Sequence, residues 1–251
     1  MTGPVLIEIC VDSVASAISA ERGGAARVEL CSGVGDGGLT PSAGMIEAVR
    51  SKISIGLQVI IRPRAGDFCY EPEEFEIMRK DILVAKSLGA DGVVLGILGS
   101  DGNVDVPRTR ELVTLARPMN VTFHRAFDMS ADLFRALEDV SSTGANRILT
   151  SGGERNCALG AETIAKLVEA ARGRIKIMAG RGIDESNAPT LIGQTGVTEI
   201  HVGTSTYVAS PMLFHNRRVS MGKRQRSEYQ RIQVLEENVR KLKLAVCLAN
   251  S

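Results

Sequence analysis

Val5-Leu6-Ile7-Glu8-Ile9-Cys10-Val11 reads as a strand that is apolar on one face and chemically reactive on the other. Side chains alternate across a strand, so Val5, Ile7, Ile9 and Val11 share one face while Leu6, Glu8 and Cys10 share the opposite one. Arg27-Val28-Glu29-Leu30-Cys31 repeats the pattern, with Val28 and Leu30 against Arg27, Glu29 and Cys31. Between the two lies a helical run, 13–22, that opens after Asp12 as its N-cap. Strand, helix, strand is the signature of a parallel pair with a crossover, and its apolar faces must pack on helices. The Glu-x-Cys faces therefore turn away from the helices, toward the other side of the sheet.

The same alternation continues to the end of the chain. Further β-rich runs fall at 56–62, 92–98, 121–125, 147–150, 175–179 and 199–202. Amphipathic runs fall between them at 42–52, 73–88, 107–116, 131–142, 161–171 and 185–192. Apolar Phe75, Ile77, Met78, Ile82, Leu83 and Ala85 recur at helical spacing in 73–88, which Gly89 stops; Gly193 is the expected stop of 185–192. Eight strands with seven intervening helices predict an α/β fold, a single (β/α)8 TIM barrel, ahead of an open doubly wound sheet. The expected domain is 1–251, with the loop and helix of 203–251 packing on the barrel as a C-terminal helical extension. Within it, 225–247 reads as one long helix carrying Ile232, Leu235, Val239, Leu242 and Val246. That spacing would suit a coiled-coil seam, but an eighth barrel helix is the better reading.

Composition narrows the function. The chain of 251 residues has a formal net charge of +1, which offers no global field for nucleic acid or membrane. No apolar run approaches the ~20 residues of a membrane span. The basic stretch Arg217-Arg218, Lys223-Arg224 and Arg226 lacks interleaved aromatic platforms and reads as a solvated loop. The 5 cysteines, at 10, 31, 69, 157 and 247, show no paired spacing, so a reducing cytoplasm is expected.

In a closed barrel the non-helix face lines the lumen. Strand by strand this sends inward Glu8 and Cys10, then Arg27, Glu29 and Cys31, then Gln58, Ile60 and Arg62, then Thr122 and His124, then Glu199 and His201. Glu8, Glu29, Arg62, His124 and His201 thus collect toward the strand C-termini, where barrel active sites lie. Barrel interiors are usually filled by branched apolar residues, so this collection predicts a site. A purely internal ion-pair network, with Arg62 neutralising Glu8 or Glu29, is the competing reading.

These residues sit in segments that resemble the CutC copper-homeostasis family: Glu8-Ile9-Cys10-Val11-Asp12-Ser13, Arg27-Val28-Glu29-Leu30-Cys31-Ser32, Gly37-Gly38-Leu39-Thr40-Pro41-Ser42, Ile61-Arg62-Pro63-Arg64-Ala65-Gly66-Asp67-Phe68, Thr122-Phe123-His124-Arg125-Ala126-Phe127-Asp128 and Ile148-Leu149-Thr150-Ser151-Gly152-Gly153. They occur in the family's order over roughly 5–205. The resemblance implies a (β/α)8 barrel and copper handling in the cytosol, with Cu(I) at Cys10 and Cys31. The sequence departs from the family pattern at Gly180-Arg181-Gly182 and at His201-Val202-Gly203.

Two readings follow. Cu(I) is soft and selects thiolates, so Cys10 and Cys31 are candidate ligands with His201 as a third. Residues of one lumen layer come from alternate strands, so the two cysteines have to lean together to share an ion. The alternative is an enzyme doing isomerase or lyase acid/base chemistry on a small phosphorylated or carboxylated metabolite. Glu8 and Glu29 would then be a coupled carboxylate pair, His124 or His201 the base, and Arg62 a bidentate anion anchor. Gly152, Gly153, Gly180, Arg181 and Gly203 would form anion-binding loops. The expected partners are a copper ion or a small anionic ligand, with self-association of the chain, and neither nucleic acid nor membrane.

Overall fold

A computed structural model describes residues 5–219, 221 and 228–248. Eight parallel strands close into a barrel in sequence order. They are β1 (Leu6–Val11), β2 (Arg27–Leu30), β3 (Gly56–Ile60), β4 (Gly92–Leu95), β5 (Asn120–Phe123), β6 (Arg147–Thr150), β7 (Lys176–Gly180) and β8 (Glu199–Val202). Closure is made by β1 against β8, with Leu6 opposite Glu199 and Glu8 opposite His201. Helices α1 (Val14–Arg22), α2 (Ala43–Arg50), α3 (Pro72–Ser87), α4 (Val106–Ala116), α5 (Leu133–Thr143), α6 (Ala161–Ala171) and α7 (Ala188–Thr195) alternate with the strands. The (β/α)8 expectation holds. Its cause is the alternation itself: Val5, Ile7, Ile9, Val11, Val28, Leu30, Leu57 and Val59 are all buried in the layer between strands and helices.

Several boundaries differ from the sequence reading. The cap of α1 is Ser13, not Asp12: its side chain accepts from the Ser16 amide. Helix α7 begins three residues later than expected because Asp184 first closes a turn, accepting from the Ser186 and Asn187 amides. It then runs through Gly193 and ends at Gly196. On α3, Ile77 and Leu83 face solvent, leaving Phe75, Met78, Ile82 and Ala85 as the packed stripe.

The largest correction lies beyond β8. The stretch expected to be irregular contains β9 (Ser205–Ala209), and the expected long helix divides into β10 (Gln230–Val234) and α8 (Glu236–Leu248). Strands β9 and β10 pair antiparallel, placing Ile232 opposite Tyr207. Gln230-Arg231-Ile232-Gln233-Val234 alternates with period two, and that local pattern prevails over the apparent heptad. The remaining apolar positions, Val239, Leu242 and Val246, are buried as α8 packs against α1 and α7. Helix α8 is thus the eighth barrel helix. It comes so close to the end of α1 that a Cβ on Gly23 would lie 2.4 Å from Val239 Cβ. Of the basic stretch, Arg217 and Arg218 are exposed, and Lys223, Arg224 and Arg226 lie outside the described residues.

Candidate functional site

The lumen is occupied by charge. Glu8 is fully buried, and its Oε2 accepts from Arg27 Nε. Arg27 also bonds Glu199, which accepts from Arg147 Nε at 2.8 Å, and Arg147 reaches Thr122 Oγ1 at 3.2 Å. Acid and base therefore alternate around the barrel from β1 through β2, β8 and β6. Each buried charge meets an opposite one, the condition under which such groups are tolerated inside a protein. The counter-ion of Glu8 is thus Arg27, and the competing expectation that Arg62 neutralises Glu8 or Glu29 is corrected for Glu8. Arg27 had been placed inward but given no task. Arg147 was missed, although its position at the start of β6 matches that of Arg27 on β2.

Above this layer the first two strands bring their thiols together. In the parallel register Cys10 lies opposite Glu29, which puts Cys31 two residues further along and just past the end of β2. The side chains lean across that stagger, and the sulfurs stand 3.6 Å apart. Both cysteines are free thiols. His201 enters from β8: its Nδ1 is 2.8 Å from Glu8 Oε1, and its Nε2 is 3.7 Å from Glu29 Oε2. A Cys10 sulfur, a Glu29 oxygen and a His201 ring nitrogen all lie within 4.8 Å of one another.

Burial and charge set the protons here. Burial alone would raise the Glu8 carboxyl, but His201 and Arg27 hold it down at about 2. Glu29 is raised, because burial outweighs the attraction of His201. Burial would depress His201, yet Glu29, Cys10 and Glu8 together carry it well above its ordinary value. Cys10 is pushed well up by its hydrogen bond with Cys31 and by burial, so it rests as a thiol. The two carboxylates are thus driven in opposite directions. Glu8 has both oxygens engaged and works as an anchor for the His201 ring.

Arg62 and His124 lie elsewhere in the mouth, just past the ends of β3 and β5. Arg62 Nη1 donates to the Asp36 and Gly38 carbonyls, and Nη2 donates to that of Gly66. Three of its five N–H groups are spent on backbone, and Nε–H is left without a partner among the described residues. His124 caps the short 3-10 turn after β5, its Nδ1 accepting from the Ala126 amide. Burial, reinforced by the Arg62 charge, depresses its ring to about 3, so it is neutral.

The glycine loops are also tied down. Asp128 accepts from Thr150 Oγ1, from Ser151 Oγ and from the amides of Ser151 and Gly153, while Thr150 Oγ1 accepts from the Gly152 amide. The Gly152 and Gly153 amides therefore serve the loop itself. Asp128 was missed as a site residue, though it closes the His124-Arg125-Ala126-Phe127-Asp128 segment. After β7, Gly180 O accepts from the buried Cys157 thiol, and Arg181 is exposed with φ 95, a backbone region that favours glycine. Gly203, past β8, borders open space. Cys69 and Cys247 are exposed.

Residues 5–206 match the CutC family. The chain belongs to the CutC family. A CutC family protein of Chromobacterium violaceum is 46% identical over 241 residues, covering 96% of this chain and 98% of that protein. The human copper homeostasis protein cutC homolog is 46% identical over 217 residues, 86% of this chain and 80% of the relative. The crystal structure of the putative copper homeostasis protein CutC from Streptococcus agalactiae superposes with a TM-score of 0.74 at 34% identity, covering 78% of this chain and 97% of that one. A thiamine phosphate pyrophosphorylase from Pyrococcus furiosus, at 16% identity and a TM-score of 0.61, shares the barrel fold alone. The CutC match spans β1 to β8 and so includes Cys10, Cys31 and His201, while β10 and α8 lie beyond it.

Proposed function

We propose that this protein takes part in cytoplasmic copper handling by binding Cu(I) at Cys10 and Cys31, with the His201 ring as third ligand. The observation that carries this is the 3.6 Å approach of two free thiols from different strands, beside a histidine already oriented by a carboxylate. With metal–thiolate bonds of about 2.3 Å, two sulfurs 3.6 Å apart subtend a bent angle of roughly 100° at a shared ion. A bent pair leaves a third direction open, and His201 flanks it. Histidine ligands commonly hold their second ring nitrogen on a carboxylate, and Glu8 supplies that here. Glu29 carries oxygen ligands, which Cu(I) disfavours. Its part is to accept the proton that His201 releases when the ring binds. A reducing compartment suits a function that needs both thiols, and self-association remains part of the same expectation.

Competition for Cu(I) against a chromophoric chelator tests the reading. Cys31→Ser is expected to weaken binding by roughly a hundredfold, about 3 kcal/mol. Glu8→Gln, which loosens His201 while leaving both thiols in place, is expected to weaken it by about 10- to 100-fold. Because Cys10 rests as a thiol and must lose its proton to bind, binding releases a proton and affinity climbs as pH rises. Equal affinity in wild type and Cys31→Ser, or affinity independent of pH, would remove the site.

A further inference from the structure

On the opposite side of the mouth, three buried side chains point hydrogen-bonding atoms at no partner. Arg62 Nε, Tyr70 Oη and His124 Nε2 all lack one among the described residues, although the side chains' residues are only 6%, 3% and 5% exposed. Phe68 ties the group together: the Arg62 guanidinium lies over its ring at 5.1 Å, and the His124 ring packs against it at 4.9 Å. Tyr70 stacks beneath Arg64, whose guanidinium is 5.1 Å from its ring. The Arg62 guanidinium acts on the Tyr70 hydroxyl by charge and by a side-chain contact, and its charge also acts on His124.

The chemistry of the three atoms is uniform. His124 Nδ1 accepts from a backbone amide, so in the neutral ring the proton sits on Nε2. The Tyr70 hydroxyl is driven up to about 12, chiefly by burial, and keeps its proton. Arg62 Nε–H has no partner on a guanidinium whose hydrogen bonds go to three carbonyls, with no carboxylate in ion-pair distance among the described residues. The cluster thus holds three donors and one uncompensated positive charge. A buried cation of this kind calls for an anion.

Gly96 makes the arrangement possible. It follows β4, the strand between β3 and β5, and a Cβ there would lie 2.6 Å from His124 Nδ1. The missing side chain lets the imidazole lie across the end of β4 toward Phe68.

We infer that Arg62, Tyr70 and His124 form a binding site for a small monocarboxylate, separate from the paired thiols. The single Arg62 charge matches one negative charge, and three donors suit the two oxygens of a carboxylate better than a dianionic phosphate. The site does not depend on copper. It borders the thiol side at Gly38, which gives its carbonyl to Arg62 and where an added Cβ would lie 3.4 Å from Cys31 Cβ.

The test uses the full-length, copper-free protein labelled with 15N. Sodium acetate is titrated at pH 7 while imidazole proton–nitrogen correlations are recorded, with sodium chloride and sodium phosphate as matched series. The expected result is a saturable shift of the His124 Nε2–H resonance with acetate and none with chloride. Tyr70→Phe keeps the ring beneath Arg64 and removes only the hydroxyl, and it is expected to weaken acetate binding roughly tenfold. A wild-type resonance that acetate leaves in place, an unsaturable drift, or unchanged affinity in Tyr70→Phe would overturn the site. Tighter binding of phosphate than acetate would overturn the carboxylate assignment. None of these outcomes bears on Cu(I) binding at the thiols.

Discussion

Two histidines face the same barrel mouth and are held in opposite protonation states. His201, from β8, sits between Glu8 and Glu29 and is carried well above its ordinary value despite burial. His124, after β5, is buried beside Arg62 and sinks to about 3. Desolvation pulls both rings down, so the sign of the neighbouring charge decides the outcome. The β1–β2–β8 side concentrates carboxylates and thiols, which suits a cation. The β3–β5 side concentrates donors around a guanidinium with no ion-pair partner among the described residues, which suits an anion. One mouth thus has two chemically opposed halves, and a substitution in one half is expected to leave the other intact.

The largest expected effect breaks the acidic half. Arg27→Met strips a counter-ion from both Glu8 and Glu199 and is expected to cost about 3 kcal/mol in urea unfolding at pH 7. A loss below about 1 kcal/mol would mean that His201 and Arg147 suffice to neutralise the two carboxylates. The next effect separates the histidines by pH. His201 has a raised folded value, so its contribution is complete below its ordinary 6.5 and is lost as pH rises through the raised value. His124 has a lowered folded value, so its contribution is present above 6.5 and declines as pH falls toward about 3. Between pH 6.5 and 5 wild type is expected to lose about 2 kcal/mol relative to His124→Gln. Parallel stability profiles for the two proteins would refute a neutral His124. The smallest effect sharpens the basic half: Gly96→Ala is expected to cost about 1 kcal/mol and to shift the His124 imidazole signals. Unmoved signals would show that the ring does not use that space.

Much of this was legible in the chain because it is periodic. Period-two alternation placed Glu8, Cys10, Glu29, Cys31 and His201 in the lumen, and all of them gather on one side of the mouth. Alternation also oriented Arg62 and His124 inward, but it could not say that they stand apart from the others, since position around a ring is not a property of any single strand. The competing ion-pair reading paired Arg62 with Glu8 or Glu29 because all three point inward. Arg27 holds that position because parallel register puts it opposite Glu8. Asp128, Phe68 and Tyr70 escaped notice because they lie in loops, where no period marks direction. The β9–β10 hairpin was hidden because its second strand runs into α8, and apolar spacing across that junction imitates a heptad.

The sequence by itself determined the barrel, its inward face and the family, since each is carried by local patterns that survive without knowledge of distant neighbours. Tertiary structure alone decided which inward residues meet. The 3.6 Å approach of the Cys10 and Cys31 sulfurs depends on how Cys31 leaves the end of β2. The opposite protonation states of His201 and His124 depend on which buried groups closure of the barrel sets beside each ring. Those are energies of pairs distant in sequence, and only folding brings the members of each pair within reach.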